Sequence, residues 1–275
     1  MAESVNLSQS VRTNLLTLQR TSDLISTTQT RLSTGKKVNS AIDDAPAFFT
    51  ARALSNSASD LDSLKSNIDL AISTIQSAID GIDAITELVN QAKGLASNAK
   101  ATGDTNERST LAVQFNELLS QIDTIANDSS FNGTNLLQAS PDNLAVEFNS
   151  ANTSNLTITG LDATTASTGI NIAVAANNFG LNANIDTALT AISSALTTLR
   201  SNASTMGSNN TILSTRLNFT ENLVNTLEGG EGKLTLADLN EESANLLALQ
   251  TRQQLGINSL ALAAQSERSI LALFG

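Results

Sequence analysis

At 275 residues, 40% of them hydrophobic, the chain is long enough for one large domain or two small ones. It has no His, Cys, Trp or Tyr and only two Pro. Imidazole acid–base chemistry, thiolate nucleophiles and His–Cys zinc sites are therefore closed to it. The formal net charge of -11 argues against nucleic acid and against an anionic membrane surface, both of which call for clustered cations.

Met1-Ala2-Glu3-Ser4 supplies neither a basic n-region nor a following apolar h-region, so no cleavable secretory signal is expected. No apolar run approaches the roughly 20 residues a bilayer span needs. Val11, Leu18, Ile25 and Leu32 recur at heptad spacing with Leu7 and Leu15 beside them, which predicts a helix at the N-terminus. Ser33-Thr34-Gly35 ends it, because Gly tolerates the left-handed C-cap conformation. Asp43 and Asp44 ahead of Pro46 predict the next start, with an acidic cap and a proline in the first turn. The two acids could in principle hold a metal. Placement at a helix N-terminus, worth roughly 0.3–1 kcal/mol each, accounts for them more simply.

The strongest pattern follows. Leu61, Ile68, Ile75, Ile82, Val89 and Ala96 form one heptad series; Leu64, Ala71, Ala78, Ile85, Ala92 and Ala99 form the other. No position in either series is polar, which predicts a helix roughly 60 Å long with a left-handed seam toward partner helices. Gly103-Asp104 separates it from a shorter amphipathic helix marked by Leu111, Phe115, Leu118, Ile122 and Ile125. Between about residues 138 and 182 the period changes. Residues 143–148, 155–159 and 169–174 alternate apolar and polar and predict short strands or hairpins.

Helical periodicity returns with Ile185, Ile192, Leu199, Met206 and Leu213, interleaved with Leu189, Leu196, Ala203 and Leu217. Asn210 and Thr220 interrupt this seam, and polar residues there can fix register at some cost in stability. Residues 229–232, Gly-Gly-Glu-Gly, are expected to form a flexible loop before a last helix that begins near Leu236. They fail as a phosphate loop, since Leu227 and Leu234 stand where that pattern wants Gly and Ser or Thr. Glu241-Glu242 is expected on a solvated face. At the far end Ile257, Leu260, Leu262, Ile270, Leu271, Leu273 and Phe274 give an apolar stripe. Neither terminal stripe has enough neighbouring sequence to be covered, and paired together they leave apolar surface over, which marks an association site.

The fold class expected is mainly α, with long antiparallel helices in a coiled-coil or bundle arrangement and a small central β-hairpin region. No catalytic, cofactor or metal residues are expected. The residues named for the terminal coiled coil are Val11, Leu18, Ile25, Leu32, Leu260, Ile270, Leu271 and Phe274. Those named for the long-helix seam are Leu61, Ile68, Ile75, Ile82, Ile85 and Val89.

From Arg31 the sequence RLSTGKKVNSAIDDAPAFFTARAL resembles the N-terminal signature of bacterial flagellins. SSFNGTNLL, from Ser129 to Leu137, is similar to the family's FNG turn. ADLNEESANLLALQTRQQLGINSLALAAQSERSILALF resembles the C-terminus of alphaproteobacterial flagellins. One departure is Pro46 with Phe48-Phe49, where small residues are usual. The resemblance implies an inner coiled-coil domain from residues 1–35 and 236–275. It also implies an outer helical bundle over 36–235, a β insertion at about 138–182 and no extra outer domains.

By the same resemblance the function is that of a structural subunit polymerising into the filament of the bacterial flagellum for motility. A hook–filament junction protein of the same superfamily is the alternative. Implied partners are other copies in a homopolymer, the type III export apparatus with an export chaperone, and the filament cap and hook-junction proteins; no cofactor is implied. The subunit is expected to be secreted into an extracellular filament. Flagellins detected by the animal Toll-like receptor use an Arg on the long helix and a Glu on the next. The resemblance places Gln91 and Gln114 at those positions.

Overall fold

The long apolar seam makes the longest helix. In a computed structural model that describes the backbone of residues 9–274, and side chains except those of Glu267, Arg268 and 270–274, five α-helices appear. They are α1 (Gln9–Thr34), α2 (Ala45–Ala101), α3 (Thr105–Asp128), α4 (Asn182–Thr235) and α5 (Leu239–Phe274). The described residues fall into two compact units, one of residues up to Ser57 with those from Thr226 onward, the other Ala58–Asn225.

In the Ala58–Asn225 unit the predicted seam is the core. Ile68, Ile75, Ile82, Ile85 and Val89 of α2 are buried, as are Leu64, Ala71, Ala78, Ala92, Ala96 and Ala99. Leu61, at the edge, is half-buried. From α4 come Ile185, Ile192, Leu196, Leu199, Met206 and Leu213, and from α3 Ala112, Phe115, Leu119, Ile122 and Ala126. Leu111, Leu118 and Ile125 of α3 are only half-buried, because Ala112, Leu119 and Ala126, one position along, face the core more squarely. Thr220 is buried, and the Oδ1 of half-buried Asn210 is enclosed without a hydrogen-bond partner. An enclosed orphan acceptor costs stability, as expected of a polar seam position.

Helix ends follow local chemistry. Gly35 takes φ 69° just past Thr34. The Asp44 carboxylate accepts from Ala47 N at 3.0 Å, with Pro46 in the first turn of α2. Asp43 serves the loop before it, accepting from Ser40 N at 2.9 Å, Asn39 N at 3.0 Å and the Ser40 hydroxyl at 3.1 Å. Those donors, Ser40 N foremost, hold its carboxyl below the usual range. Asp104 caps α3 through Asn106 N at 2.8 Å. Phe48 and exposed Phe49 meet edge to face at 5.6 Å.

The β structure is two hairpins. β1 (Ser130–Phe131) pairs with β2 (Thr134–Asn135) across Asn132-Gly133, whose φ values of 50° and 81° are those of a tight hairpin turn. Asn135 then fastens this hairpin to α3: its Nδ2 donates to the Ala126 and Asn127 carbonyls at 2.9 and 2.8 Å. The helix's last carbonyls are thereby satisfied. β3 (Asn143–Glu147) pairs antiparallel with β4 (Asn155–Thr159), Ala145 opposite Thr157.

Three expectations are corrected. No strand forms over residues 169–174. Ile170 and Ile172 are buried as the alternation requires, but Asn171 is left-handed at φ 53° and the amides bond to the turn at 164–166. Alternation marked a half-buried segment, and no neighbouring strand was there to pair with it. Second, residues 229–232 are helical: α4 runs on to Thr235, and Leu236–Asp238 form the break. Glycine lowers helix propensity by only about 1 kcal/mol per residue, and at Gly230 the bare backbone lies close to the Leu54 side chain, which a Cβ would meet at 3.3 Å. Third, Glu242 is not solvated. It is buried and ion-paired with Arg31.

Candidate functional site

Within the unit that contains both ends of the chain, α1 and α5 lie side by side and antiparallel. Three contacts set the register. Lys36 and Leu236 form an antiparallel backbone bridge, Arg31 Nη1 donates to Glu242 Oε1 at 2.9 Å, and Gly256 sits against Leu18. A methyl group on Gly256 would stand 2.8 Å from Leu18 Cδ2, so the Leu18 side chain packs directly over the bare backbone there and would have to turn to admit even a methyl.

The enclosed positions of each helix alternate by three and four residues, which is the heptad seam. On α1 they are Val11, Asn14, Leu18, Thr21, Ile25, Thr28 and Leu32. On α5 they are Leu246, Leu249, Gln253, Gly256, Leu260 and Ala263. Of the residues named for the terminal coiled coil, Val11, Leu18, Ile25, Leu32 and Leu260 lie at these positions, whereas the side chains of Ile270, Leu271 and Phe274 lie outside those described. Sequence reasoning missed the other half of the seam because Asn14, Thr21, Thr28, Gln253 and Gly256 are not apolar. Stepping by seven from Thr21 reaches Asn14 and Thr28, and stepping back by seven from Leu260 reaches Gln253. Thr21 hides its polarity by donating to the Thr17 carbonyl at 2.8 Å.

A second set of large apolar side chains on the same helices is exposed: Leu15, Leu16 and Leu24 on α1, and Leu247, Leu255, Ile257 and Leu262 on α5. Charge is distributed to match. Residues 58–225 hold 16 acidic and 6 basic residues, a net -10, while the remaining sequence holds 10 and 9, a net -1. The end-bearing part of the chain is thus nearly neutral in net charge and carries large apolar side chains outside as well as inside. Backbone bonds from Lys37 N to Thr235 O at 2.7 Å and from Ala237 N to Gly35 O at 3.0 Å tie the two linkers together.

Gln91 of α2 and Gln114 of α3 are both exposed and line one groove of about 680 Å³, with Gly94, Leu95, Asn98 and Leu118. Among the described residues no group of three or more His, Cys, Asp or Glu could hold a metal, and no helix is long and apolar enough to cross a membrane.

Residues 5–142 match the family model of the bacterial flagellin N-terminal helical region, and 189–274 that of the bacterial flagellin C-terminal helical region. The chain is 34% identical to flagellin FljK of Caulobacter vibrioides over 98% of both proteins. It is 29% identical to a flagellin of Brucella melitensis over 98% of this chain and 99% of that one. A crystal structure of Bacillus cereus flagellin overlaps 56% of this chain and 88% of its own, with TM-score 0.48 and 20% identity.

Proposed function

This chain belongs to the bacterial flagellin family and is a structural subunit of the flagellar filament, and we propose that α1 and α5 are the surface through which it polymerises. The observation that carries this reading is the set of large apolar side chains on each terminal helix left exposed after the two have paired. Exposed apolar surface of this kind marks association sites, and near-neutral net charge lets copies pack there with little repulsion. Contacts between unlike patches that do not close into a ring extend into an open helical filament.

In this reading residues 1–35 and 236–275 form the inner coiled coil of the filament, with Val11, Leu18, Ile25, Leu32, Leu260, Ile270, Leu271 and Phe274 in its packing. Residues 36–235 form the outer layer. The subunit is secreted through the flagellar export apparatus, its last helix held meanwhile by an export chaperone, and adds beneath the filament cap beyond the hook-junction proteins. Each terminal helix orders at roughly 1–2 kcal/mol per residue of backbone entropy, which one seam alone offsets poorly. Both are therefore expected to gain order on assembly.

Deleting residues 257–275 tests the proposal. The truncated chain is expected to keep the circular dichroism melt of the Ala58–Asn225 unit and to form no filaments in sedimentation or negative-stain microscopy. In the intact chain, amides of residues 9–32 and 257–274 are expected to exchange rapidly in the free subunit and slowly in the filament. Long filaments from the truncated chain refute the mechanism.

A further inference from the structure

Helix α4 is not uniform along its length. Over residues 185–199 it buries Ile185, Ala188, Ile192, Ala195, Leu196 and Leu199. Over residues 200–212 it buries Met206 alone, and burial resumes at Leu213. No such gap exists in α2, where a buried residue recurs at least every four positions over residues 64–99. The other two seam positions in the gap are half-buried. One is Ala203, which has little to bury; the other is Asn210, whose enclosed Oδ1 has no hydrogen-bond partner. An orphan acceptor penalises the closed helix and not the open one, where water reaches it.

Local chemistry weakens the same stretch. Of the eleven residues 201–211, eight are Ser, Thr or Asn and one is Gly207. All of these hold a helix less well than Ala, and Gly holds it least. Their side chains also compete for helix carbonyls. Asn202 Nδ2 donates to Thr198 O at 2.9 Å, Thr205 Oγ1 to Ser201 O at 3.0 Å and Thr211 Oγ1 to Gly207 O at 3.0 Å. Hydroxyls that bond back in this way slightly destabilise and bend helices. Packing does not require a glycine at 207, where a Cβ would meet nothing within 4 Å. Gly81 is the contrast, since a Cβ there would collide with Ser129 and Leu137.

We infer that residues 201–211 are a release joint, which unwinds by itself in the folded subunit while the buried positions of α4 on either side stay closed. Proteins open locally where few apolar contacts must be broken, and here opening gives up only Met206. Closing gains little in return, because low helix propensity and the Asn210 acceptor both oppose it. The unbroken series on α2 and the six buried residues at 185–199 keep the unit folded meanwhile. A bend or pull along α4 is therefore taken up at this joint, between two stiffer half-helices. The joint belongs to the single subunit and does not depend on the filament reading.

Amide exchange of the intact monomer tests it. Protection factors over residues 202–211 are expected to be roughly a hundredfold lower than over 189–199, and unchanged by low urea, since local opening exposes little surface. Ser204→Ala, Gly207→Ala and Ser208→Ala together raise helix propensity without touching the core. This triple variant is expected to raise protection over 202–211 by about tenfold or more and to leave 189–199 as it was. Ser193→Ala, the same kind of change outside the joint, is expected to leave 202–211 unaltered. Equal protection across α4, or exchange over 202–211 that rises with urea in step with 189–199, means that α4 opens only with the whole unit and overturns the proposal. A triple variant that exchanges over 202–211 as fast as the unaltered chain also overturns it.

Discussion

Placing a carboxylate on the α2 seam tests whether the two heptad series are the core of the Ala58–Asn225 unit. Ile75 is 0% exposed and Ile82 1% exposed, and every α2 position in the two series is apolar, so Ile75→Asp or Ile82→Asp meets no cation along that face. Losing the buried aliphatic group costs about 2–5 kcal/mol, and an enclosed unpaired carboxylate adds several more. That sum rivals the 5–15 kcal/mol of a typical domain, so both variants are expected to lose the cooperative unfolding transition at pH 7. Ile75→Val, which removes one methylene, is expected to cost only about 0.5–1.5 kcal/mol.

A pH series separates burial of charge from loss of volume. Burial raises the introduced carboxyl's pKa above its unfolded value near 3.9, so the folded state binds the extra proton. The charge penalty is then absent below about pH 3.9 and fully present above the raised folded value. The deficit relative to the unaltered chain should shrink as pH falls from 7 toward 4, leaving the volume term. Urea titrations followed by far-UV circular dichroism measure it. The seam assignment is wrong if either Asp variant stays within about 1 kcal/mol of the unaltered chain at pH 7, or if its deficit grows on acidification.

Gly256→Leu is expected to force α5 from Leu18 and block filament formation, as overpacking costs about 1–3 kcal/mol. Gly256→Ala is expected to assemble, since Leu18 can turn its methyl aside and Ala gains up to about 1 kcal/mol of helix propensity. Filament yield and helicity distinguish the two. Glu242→Ala should destabilise the α1–α5 pair by only about 1 kcal/mol, because Arg31 is more than a third exposed and solvent screens the pair; double-mutant cycles with Arg31→Ala measure it. If Gln91 and Gln114 stand, as the resemblance implies, where receptor-detected flagellins carry an Arg and a Glu, charge-assisted bonds worth roughly 1.5–3 kcal/mol each are missing. Activation of the animal Toll-like receptor is therefore expected to be weak. Reporter-cell potency equal to that of an enterobacterial flagellin refutes this.

The sequence by itself determined the elements whose signal is periodic or local. Twelve α2 positions repeat without a polar residue, and heptad spacing admits one geometry, so the longest helix and its buried face were legible. Asp44 with Pro46, Gly35 and Asp104 each act within a few residues, and all three breaks fall where that chemistry puts them. Three things needed tertiary structure. The glycines at 229–232 read as a loop, yet helix persists there, because a propensity cost of about 1 kcal/mol per glycine is too weak to break a long packed helix. Residues 169–174 alternate like a strand, but alternation reports burial on one side and is silent on whether another strand is present. Glu242 lies 211 residues from Arg31, and only the antiparallel register of α1 and α5 brings their charges together. The same register brings Gly256 to Leu18, which no pattern of apolar residues marks.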